Sequence, residues 1–252
     1  NNISKSFESF LAVDDINFSL EKGEVLGFLG PNGAGKTTTM RILTGFLKPS
    51  SGSIKINGLD LFKNLKKARE YIGYVPEGSP LYNEMTTIDF LSFICEIRNI
   101  DKDQNLSKII KLLDLDEVLL QKIDTLSKGF KRRVGLAQAL VHDPKILILD
   151  EPTDGLDPNQ KHEVRKLIKK LGKEKSIIIS THILEEVKAI CNRTMILSNG
   201  KLLIDDTPSN VLKKSSSYNN LLLSVHDKSA HELKKELQAL NNFKYIDINN
   251  NL

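Results

Sequence analysis

A glycine-rich segment near the start of the chain contains the residue types that bind phosphate groups. It matches the pattern G-x-x-x-x-G-K-[ST] over the residues Gly30, Pro31, Asn32, Gly33, Ala34, Gly35, Lys36 and Thr37. Glycines let successive backbone N–H groups turn toward phosphate, and Lys36 adds a positive charge for the β- and γ-phosphate oxygens. The Thr37 hydroxyl suits Mg²⁺ as a ligand. The segment predicts a site for a nucleoside triphosphate and magnesium, with an ordinary glycine-rich turn as the alternative.

Two neighbouring carboxylates, Asp150 and Glu151, follow the apolar run Ile146–Leu149. Open α/β sheets bind their ligands at the carboxyl ends of such buried strands. Asp150 is therefore expected to hold Mg²⁺, and Glu151 to polarise a water molecule that attacks the γ-phosphate. Many strands end in an acidic residue, so the pair alone is a moderate signal. Together with the glycine-rich segment it predicts hydrolysis of the bound nucleotide.

The elements that must position these residues follow an alternating pattern. Val25–Leu29, Ile146–Leu149 and Ser176–Ser180 are short apolar runs of the type found in strands buried on both faces. Helices are predicted between and after them: Thr37–Leu43, much of Leu81–Leu140, and the segment from Asp157-Pro158 to Leu171-Gly172. Strands alternating with helices predict an α/β fold, with a mainly parallel sheet and helices on both of its faces.

The last part of the chain has a different pattern. Met195–Leu197 and Leu202–Ile204, joined through Asn199-Gly200, predict a hairpin. A polar, serine- and asparagine-rich linker follows over Lys213–Asn220, and then a small strand–helix–strand segment. We therefore expect one domain over residues 1–212 and a linker with a small appendage over residues 213–252.

Size and charge narrow the class of protein. The 252 residues suffice for one large domain, and the net charge of only +4 gives no reason to expect a nucleic-acid partner. No apolar stretch is long enough to span a bilayer, and no secretory signal is visible. Cys95 and Cys191 lack metal-binding spacing and are expected to be buried free thiols. These features predict a cytoplasmic protein, which at a membrane would need another chain to supply spanning helices.

Four further motifs make the chain resemble the ATP-binding-cassette ATPases over about residues 1–212. Leu126-Ser127-Lys128-Gly129 stands where that family has its signature sequence, and Asp154-Gly155-Leu156-Asp157 is similar to its D-loop. Thr181-His182 is similar to the family's switch histidine, and Tyr74-Val75-Pro76-Glu77 occupies the place of its glutamine loop. The resemblance implies a RecA-like phosphate-loop core, an antiparallel β subdomain, and a helical signature subdomain over about residues 81–140.

The resemblance also implies roles for individual residues. Ser127, Lys128 and Gly129 would bind the γ-phosphate of an ATP held by the opposite subunit of a head-to-tail homodimer or heterodimer. His182 would contact the γ-phosphate and hold the attacking water, and Glu77 would lie near Mg²⁺. The ATP site would further include Phe7, stacked on the adenine ring, together with Val13 and Thr38.

The chain departs from the family pattern at the positions that couple subunits. Glu77 replaces the more usual glutamine, the signature has Lys128 and Phe130 where Gly and Gln are common, and Asp154 replaces a small residue. The Pro-Glu loop, the Leu-Ser-Lys-Gly signature and the terminal appendage resemble a subfamily of exporters for drugs, antibiotics, lipids or polysaccharides, or for gliding motility. This implies a separate transmembrane permease and a peripheral place on the inner face of the cell membrane.

Three other functions fit parts of the pattern. A soluble ATPase of the same class, acting on ribosomes or DNA, would usually carry two cassettes or long coiled-coil insertions. A nucleotide kinase would need an acceptor site and a lid and has no use for the signature sequence. A pure ATP sensor would bind ATP without magnesium-dependent turnover. We therefore expect the ATPase subunit of a transporter, with the soluble ATPase as the leading alternative.

Overall fold

The computed structural model describes residues 1–78, 80–214 and 234–235. Internal contacts divide the chain between Lys213 and Lys214, and the account below concerns the unit Asn1–Lys213. The predicted linker and the strand–helix–strand appendage lie outside the described residues, apart from Lys213 and Lys214 at the start of the linker and the pair Lys234-Lys235. It stays a prediction. Within the described ranges, no helix is long and apolar enough to cross a membrane.

A six-stranded sheet forms the centre of the unit. Its strand order is β10-β9-β3-β8-β7-β6, and all neighbours are parallel except β9 and β10. Two separate antiparallel pairs, β1-β2 and β4-β5, lie outside it. The strands are β1 Ile3–Phe7, β2 Phe10–Ile16, β3 Val25–Leu29, β4 Lys55–Ile56, β5 Leu59–Asp60, β6 Ile72–Val75, β7 Ile146–Asp150, β8 Ser176–Thr181, β9 Arg193–Ser198 and β10 Lys201–Asp206. The predicted mainly parallel α/β sheet is confirmed.

The described helices connect the strands and cover the sheet. They are α1 Lys36–Leu43, α2 Leu65–Glu70, α3 Thr87–Arg98, α4 Lys102–Leu112, α5 Lys128–Leu140, α6 Pro158–Leu171, α7 Leu184–Ile190 and α8 Pro208–Lys214, with short 3₁₀ turns at Asp116–Val118 and Ile123–Thr125. Helices α3, α4 and α5 fall in the segment predicted to be helical, between β6 and β7. This arrangement places a helical layer next to the loop that contains Glu77.

Alternating side chains of the central strands divide the interior into two cores. Leu147 and Leu149 of β7 face the core formed with α3, α4, α5 and α6, whereas Ile148 between them faces the core beneath α1. Ile178 likewise faces the α1 side, while Ile177 and Ile179 on either side of it face the other. Because both faces of these strands are covered, neither face needs polar residues. This is why the strands are continuous apolar runs in the sequence.

Strand β6 was absent from the sequence prediction, although it forms one edge of the central sheet. Its four residues include Gly73, which weakens strand propensity and interrupts the apolar run. A Cβ atom at this position would lie 2.2 Å from the carbonyl oxygen of Ala139 in α5. The glycine is therefore required by the close approach of α5 to the sheet, a long-range contact that strand propensity does not register.

Candidate active site

The phosphate loop connects the carboxyl end of β3 to the first turn of α1. Gly33 and Gly35 have φ angles of 80° and 96°, in the left-handed region that glycine adopts with little cost. Gly35 is the N-cap of α1, so the free N–H groups and positive dipole end of this helix border the loop. A cavity of about 390 Å³ opens beside the loop. The free N–H groups and the positive end of the α1 dipole therefore favour an anionic ligand on this side of the cavity.

Gly35→Ala is expected to lower the free energy of unfolding more than Gly58→Ala does. A Cβ atom at Gly35 would lie 2.5 Å from the carbonyl oxygen of Ala12, whereas one at Gly58, where φ is 80°, would meet nothing within 4 Å. Gly58→Ala should therefore cost only the left-handed strain, about 1–2 kcal/mol. Gly35→Ala should lower the free energy of unfolding further and weaken ATP binding. Denaturant unfolding and ATP titration of both variants measure this, and equal losses of stability would contradict the steric argument.

Lys36 is buried at the base of the cavity. Its ammonium group donates hydrogen bonds to the carbonyl oxygens of Gly30 at 2.7 Å and Pro31 at 3.2 Å. It also lies 3.5 Å from Oε1 of Glu151. The loop carbonyls hold the positive charge at the place where the predicted phosphate chain would pass.

The residues around Asp150 fit the coordination that Mg²⁺ requires. Asp150 is fully buried, and its Oδ1 accepts hydrogen bonds from Ser180 Oγ and, at 3.4 Å, from Thr37 Oγ1. Its Oδ2 is buried and has no hydrogen-bond partner in the described structure. The described residues contain no group of three or more acidic, histidine or cysteine side chains that could hold a metal alone. One carboxylate and one hydroxyl match magnesium, which completes its shell with phosphate oxygens and water.

Glu151 adopts an unusual backbone conformation at the end of β7. Its φ angle of 47° lies in the left-handed region, and its N–H donates to Ser180 Oγ at 3.0 Å. Its Oε2 lies 3.2 Å from Nδ1 of His182, which follows β8. Since an ionised carboxylate only accepts hydrogen bonds, this contact requires a proton on Nδ1.

Burial raises the pKa of the Glu151 carboxyl above its ordinary value. The hydrogen bond from His182 and the positive charge of Lys36 act in the opposite direction and favour the ionised form. A carboxylate whose pKa lies nearer neutrality is a stronger base than an exposed one. The arrangement can therefore accept a proton from a water molecule placed between Glu151 and the cavity.

Most of the predicted ATP-site residues line one cavity. These are residues 32–38 of the phosphate loop together with Glu77, Glu151, Asp154 and His182. Gly30 and Pro31 lie behind Lys36 and present carbonyl oxygens to it, and Asp150 lies behind Thr37. The structure thus brings residues from four separate segments of the chain to one place.

The β1-β2 hairpin contributes residues that the sequence analysis did not identify. Phe10 and Ala12 line the cavity, whereas Phe7 does not, and Val13 is completely buried. Phe7 and Phe10 are directly opposite each other in the hairpin, and the Lys5 ammonium lies 5.1 Å from the Phe7 ring centroid. Strand alternation could not have identified Ala12, because the pairing is irregular there: Leu11 is opposite Ser6 and Val13 is opposite Lys5, which leaves Ala12 without a partner in β1.

The signature residues lie away from the cavity of their own chain. Ser127 caps α5 by accepting a hydrogen bond from the Phe130 N–H at 3.3 Å, and Ser127 and Lys128 are exposed. A Cβ atom at Gly129 would lie 2.9 Å from the Gln160 side chain, and one at Gly155 would lie 3.8 Å from Lys128 Nζ. The signature and the D-loop segment therefore form one continuous surface.

A buried arginine on α5 is a second feature that sequence analysis missed. Arg132 is only 7% exposed, and burial lowers the pKa of its guanidinium. The nearby charges of Asp154, Glu77, Asp150 and Glu151 oppose this and favour its charged form. The guanidinium of Arg132 is thus close enough to these four carboxylates to be influenced by their charges.

Three features together define a phosphate-loop ATPase. They are the parallel sheet, the phosphate loop at the carboxyl end of β3, and the acidic pair at the end of β7, which lies two strands from β3 in the sheet.

A family model described as ABC transporter matches residues 13–154. The ABC transporter ATP-binding protein YhcH of Bacillus subtilis (strain 168), itself uncharacterized, is 41% identical over 205 residues, 80% of this chain and 67% of that protein. The bacitracin transport ATP-binding protein BcrA of Bacillus licheniformis is 38% identical over 229 residues, 90% and 75% of the two chains.

A solved structure of an ATP-binding subunit of an ABC transporter superimposes with a TM-score of 0.77 and 28% sequence identity, covering 94% of this chain and 97% of that one. This chain belongs to the ABC transporter family, as an ATP-binding subunit that hydrolyses ATP. The relatives do not favour the alternative of a soluble ATPase that acts on ribosomes or DNA.

Proposed function

We propose that this subunit powers an exporter by hydrolysing ATP with magnesium in the cavity beside Lys36. The observation that carries the proposal is the convergence of the phosphate loop, Asp150 and the Glu151–His182 pair on one site. Lys36 and the loop N–H groups hold the β- and γ-phosphates. Glu151 accepts a proton from the attacking water, and His182 orients that water and contacts the γ-phosphate.

Magnesium, when bound, would neutralise charge on the β- and γ-phosphates and polarise the bond to be broken. Asp150 and Thr37 would hold it, with Glu77 at the edge of the cavity as a further ligand. The buried Asp150 Oδ2, which lacks a protein partner in the described structure, supports this assignment. Thr37 keeps its hydroxyl beside the same carboxylate.

Two copies associate head to tail, so that each completes the site of the other. Ser127 and Lys128 are exposed at the N-terminus of the 13-residue helix α5, and Gly129 follows them in its first turn. This end of the helix attracts anions through its dipole and its free N–H groups. These residues lie outside the cavity of their own chain and are therefore available to the γ-phosphate held by a partner. Asp154, Gly155, Leu156 and Asp157 border both regions and would contact the partner at the same interface.

A separate transmembrane permease docks in a groove next to the loop that contains Glu77. The groove has a volume of about 620 Å³, and its lining includes Arg41, Arg69 and Arg98 as well as Phe46. Arg69 stacks on Phe46, which is 68% exposed, with 4.8 Å between guanidinium carbon and ring centroid. Three arginines beside an exposed aromatic ring favour a permease segment with acidic and apolar side chains. Through this contact the ATPase would be peripheral on the cytoplasmic face of the membrane.

Replacing one arginine of the groove by glutamate should weaken binding between the ATPase subunit and the permease. Arg98→Glu would repel an acidic permease segment, so less permease should co-purify and ATP-driven transport in vesicles should fall by about tenfold or more. Lys111→Glu makes the same charge change on exposed α4, outside the groove, and serves as the matched control. Co-purification and transport are measured for both variants with the full complex. Equal behaviour of the two variants would place the docking surface elsewhere.

The direction of transport is part of the proposal. The similarity to a bacitracin transport ATP-binding protein and the Leu-Ser-Lys-Gly signature support export of a drug, antibiotic, lipid or polysaccharide. Uptake assays with inverted and right-side-out vesicles distinguish export from import.

A further inference from the structure

A buried carboxylate on α7 lies outside the set of residues that the mechanism uses. Glu186 is 1% exposed, and its Oε1 accepts hydrogen bonds from Thr153 Oγ1 and, at 3.3 Å, from Arg165 Nη2. Its Oε2 accepts a hydrogen bond from Thr181 Oγ1 at 2.9 Å. Both oxygens therefore have partners, and these partners come from three different parts of the chain.

The partners of Glu186 belong to the two loops that contain the proposed hydrolytic residues. Thr153 comes two residues after Glu151 and directly before Asp154, whereas Thr181 directly precedes His182. The Thr181 hydroxyl also accepts a hydrogen bond from the Ile183 N–H at 3.1 Å. The backbone on both sides of His182 is thus tied to one carboxylate, which also holds the loop beyond Glu151.

The distance between Glu151 and His182 depends on how these two loops are held. His182 Nδ1 contacts Glu151 Oε2 at 3.2 Å across the gap between β7 and β8. Among the described residues, no other side chain hydrogen-bonds to both Thr153 and Thr181. A displacement of one loop would be transmitted through the Glu186 carboxylate to the other.

We propose that Glu186 is a positioning residue for ATP hydrolysis, which fixes the two loops so that His182 stays against Glu151. The inference rests on the roles proposed above for Glu151 and His182. Glu186 acts through Thr153 and Thr181 and does not touch the reacting groups. Arg165, which is partly exposed, compensates the buried negative charge.

Glu186→Gln tests the proposal with little change in shape. Whichever way the amide is oriented, one of its ends presents N–H groups where a hydroxyl or the Arg165 guanidinium needs an acceptor. We expect kcat to fall by about tenfold or more, because small displacements of catalytic groups have large effects on rate. The KM for ATP should stay within about twofold to threefold, since the phosphate loop is not altered. Glu185→Gln makes the same change at the neighbouring, exposed position and should leave both constants unchanged.

The division of the effect between kcat and KM separates positioning from a general loss of structure. Displacement of His182 from Glu151 should lower kcat alone, because the phosphate loop that binds ATP is not altered. A purely structural role for Glu186 would lower the melting temperature and weaken ATP binding together with kcat.

A second pair of variants tests the same path if Glu186→Gln does not fold. Thr181→Val removes the hydroxyl that connects Glu186 to the Ile183 N–H, whereas Thr181→Ser keeps it. Thr181→Val should reproduce the fall in kcat at nearly unchanged KM, and Thr181→Ser should restore kcat toward the wild-type value. Unchanged kcat in the folded variants, or losses that follow melting temperature and ATP affinity alone, would overturn the proposal. If Glu151→Gln in addition retains full turnover, the proposed function itself has failed.

Discussion

Glu151→Gln is expected to abolish ATP turnover while leaving ATP bound. The amide cannot accept the proton of the attacking water, and loss of a general base lowers rates by about 10²- to 10⁴-fold. Lys36 and the phosphate loop stay in place, so the affinity for ATP should change little. In the presence of ATP and magnesium the closed dimer should then accumulate, because hydrolysis no longer reopens it. Phosphate release measures turnover, and the mass of the protein in solution measures dimerisation.

An exposed glutamate provides the control for this prediction. Glu163→Gln, on the solvent side of α6, makes the same chemical change without touching the cavity and should keep wild-type turnover. The wild-type rate should also fall as the pH drops through the pKa of Glu151, which burial holds above its ordinary value. Protonation of the carboxyl imitates the amide in this range. Turnover at the original rate in Glu151→Gln would exclude Glu151 as the base.

Lys36→Ala should remove most of the ATP affinity as well as turnover. The lysine is 6% exposed, and its position is set by the carbonyl oxygens of Gly30 and Pro31. A charged hydrogen bond contributes about 1.5–3 kcal/mol, so affinity should weaken by at least about tenfold, and by more if several phosphate oxygens are contacted. The substitution also leaves the Glu151 carboxylate without the cation that lies 3.5 Å away. Isothermal titration with ATP and magnesium measures the change in affinity.

A lysine outside the site separates this effect from a general change of charge. Lys66→Ala, at an exposed position on α2, removes the same charge and should bind ATP as the wild type does. Combining Lys36→Ala with Glu151→Gln excludes turnover as a cause of apparent weak binding. Wild-type affinity in the double variant would mean that the phosphates bind elsewhere. The two predictions together distinguish binding, which depends on Lys36, from chemistry, which depends on Glu151.

The sequence predicted the parts of this fold that depend on local rules. The three apolar runs that form β3, β7 and β8 were recognisable because both faces of these strands are buried. Asp157 before Pro158 predicted the start of α6, and in the structure its side chain accepts a hydrogen bond from the Gln160 N–H at 2.9 Å. The hairpin at Asn199-Gly200 followed from two residues that tolerate positive φ, observed at 48° and 76°. In each case a few neighbouring residues decide the backbone conformation.

The tertiary structure decided which residues meet. Glu151 and His182 are 31 residues apart in the chain, and only the pairing of β7 with β8 brings their side chains together. The same pairing allows Glu186 to hold Thr153 and Thr181. Arg132 lies on a helix whose sequence suggests a solvated basic face, yet packing of α5 against the sheet buries it. Propensity and periodicity describe one segment at a time and contain no information about these distances.

The residue types that carry out the chemistry of the site could therefore be identified from the amino-acid sequence. The distances between their side chains could not. The phosphate loop needs glycines and a lysine at fixed spacing because backbone N–H groups within one turn must face the same anion, and that spacing is a local property. The place of Phe10 rather than Phe7 beside the cavity depends on where the β1-β2 hairpin turns and packs. Such packing is set by contacts between residues far apart in the chain, and only the folded structure contains them.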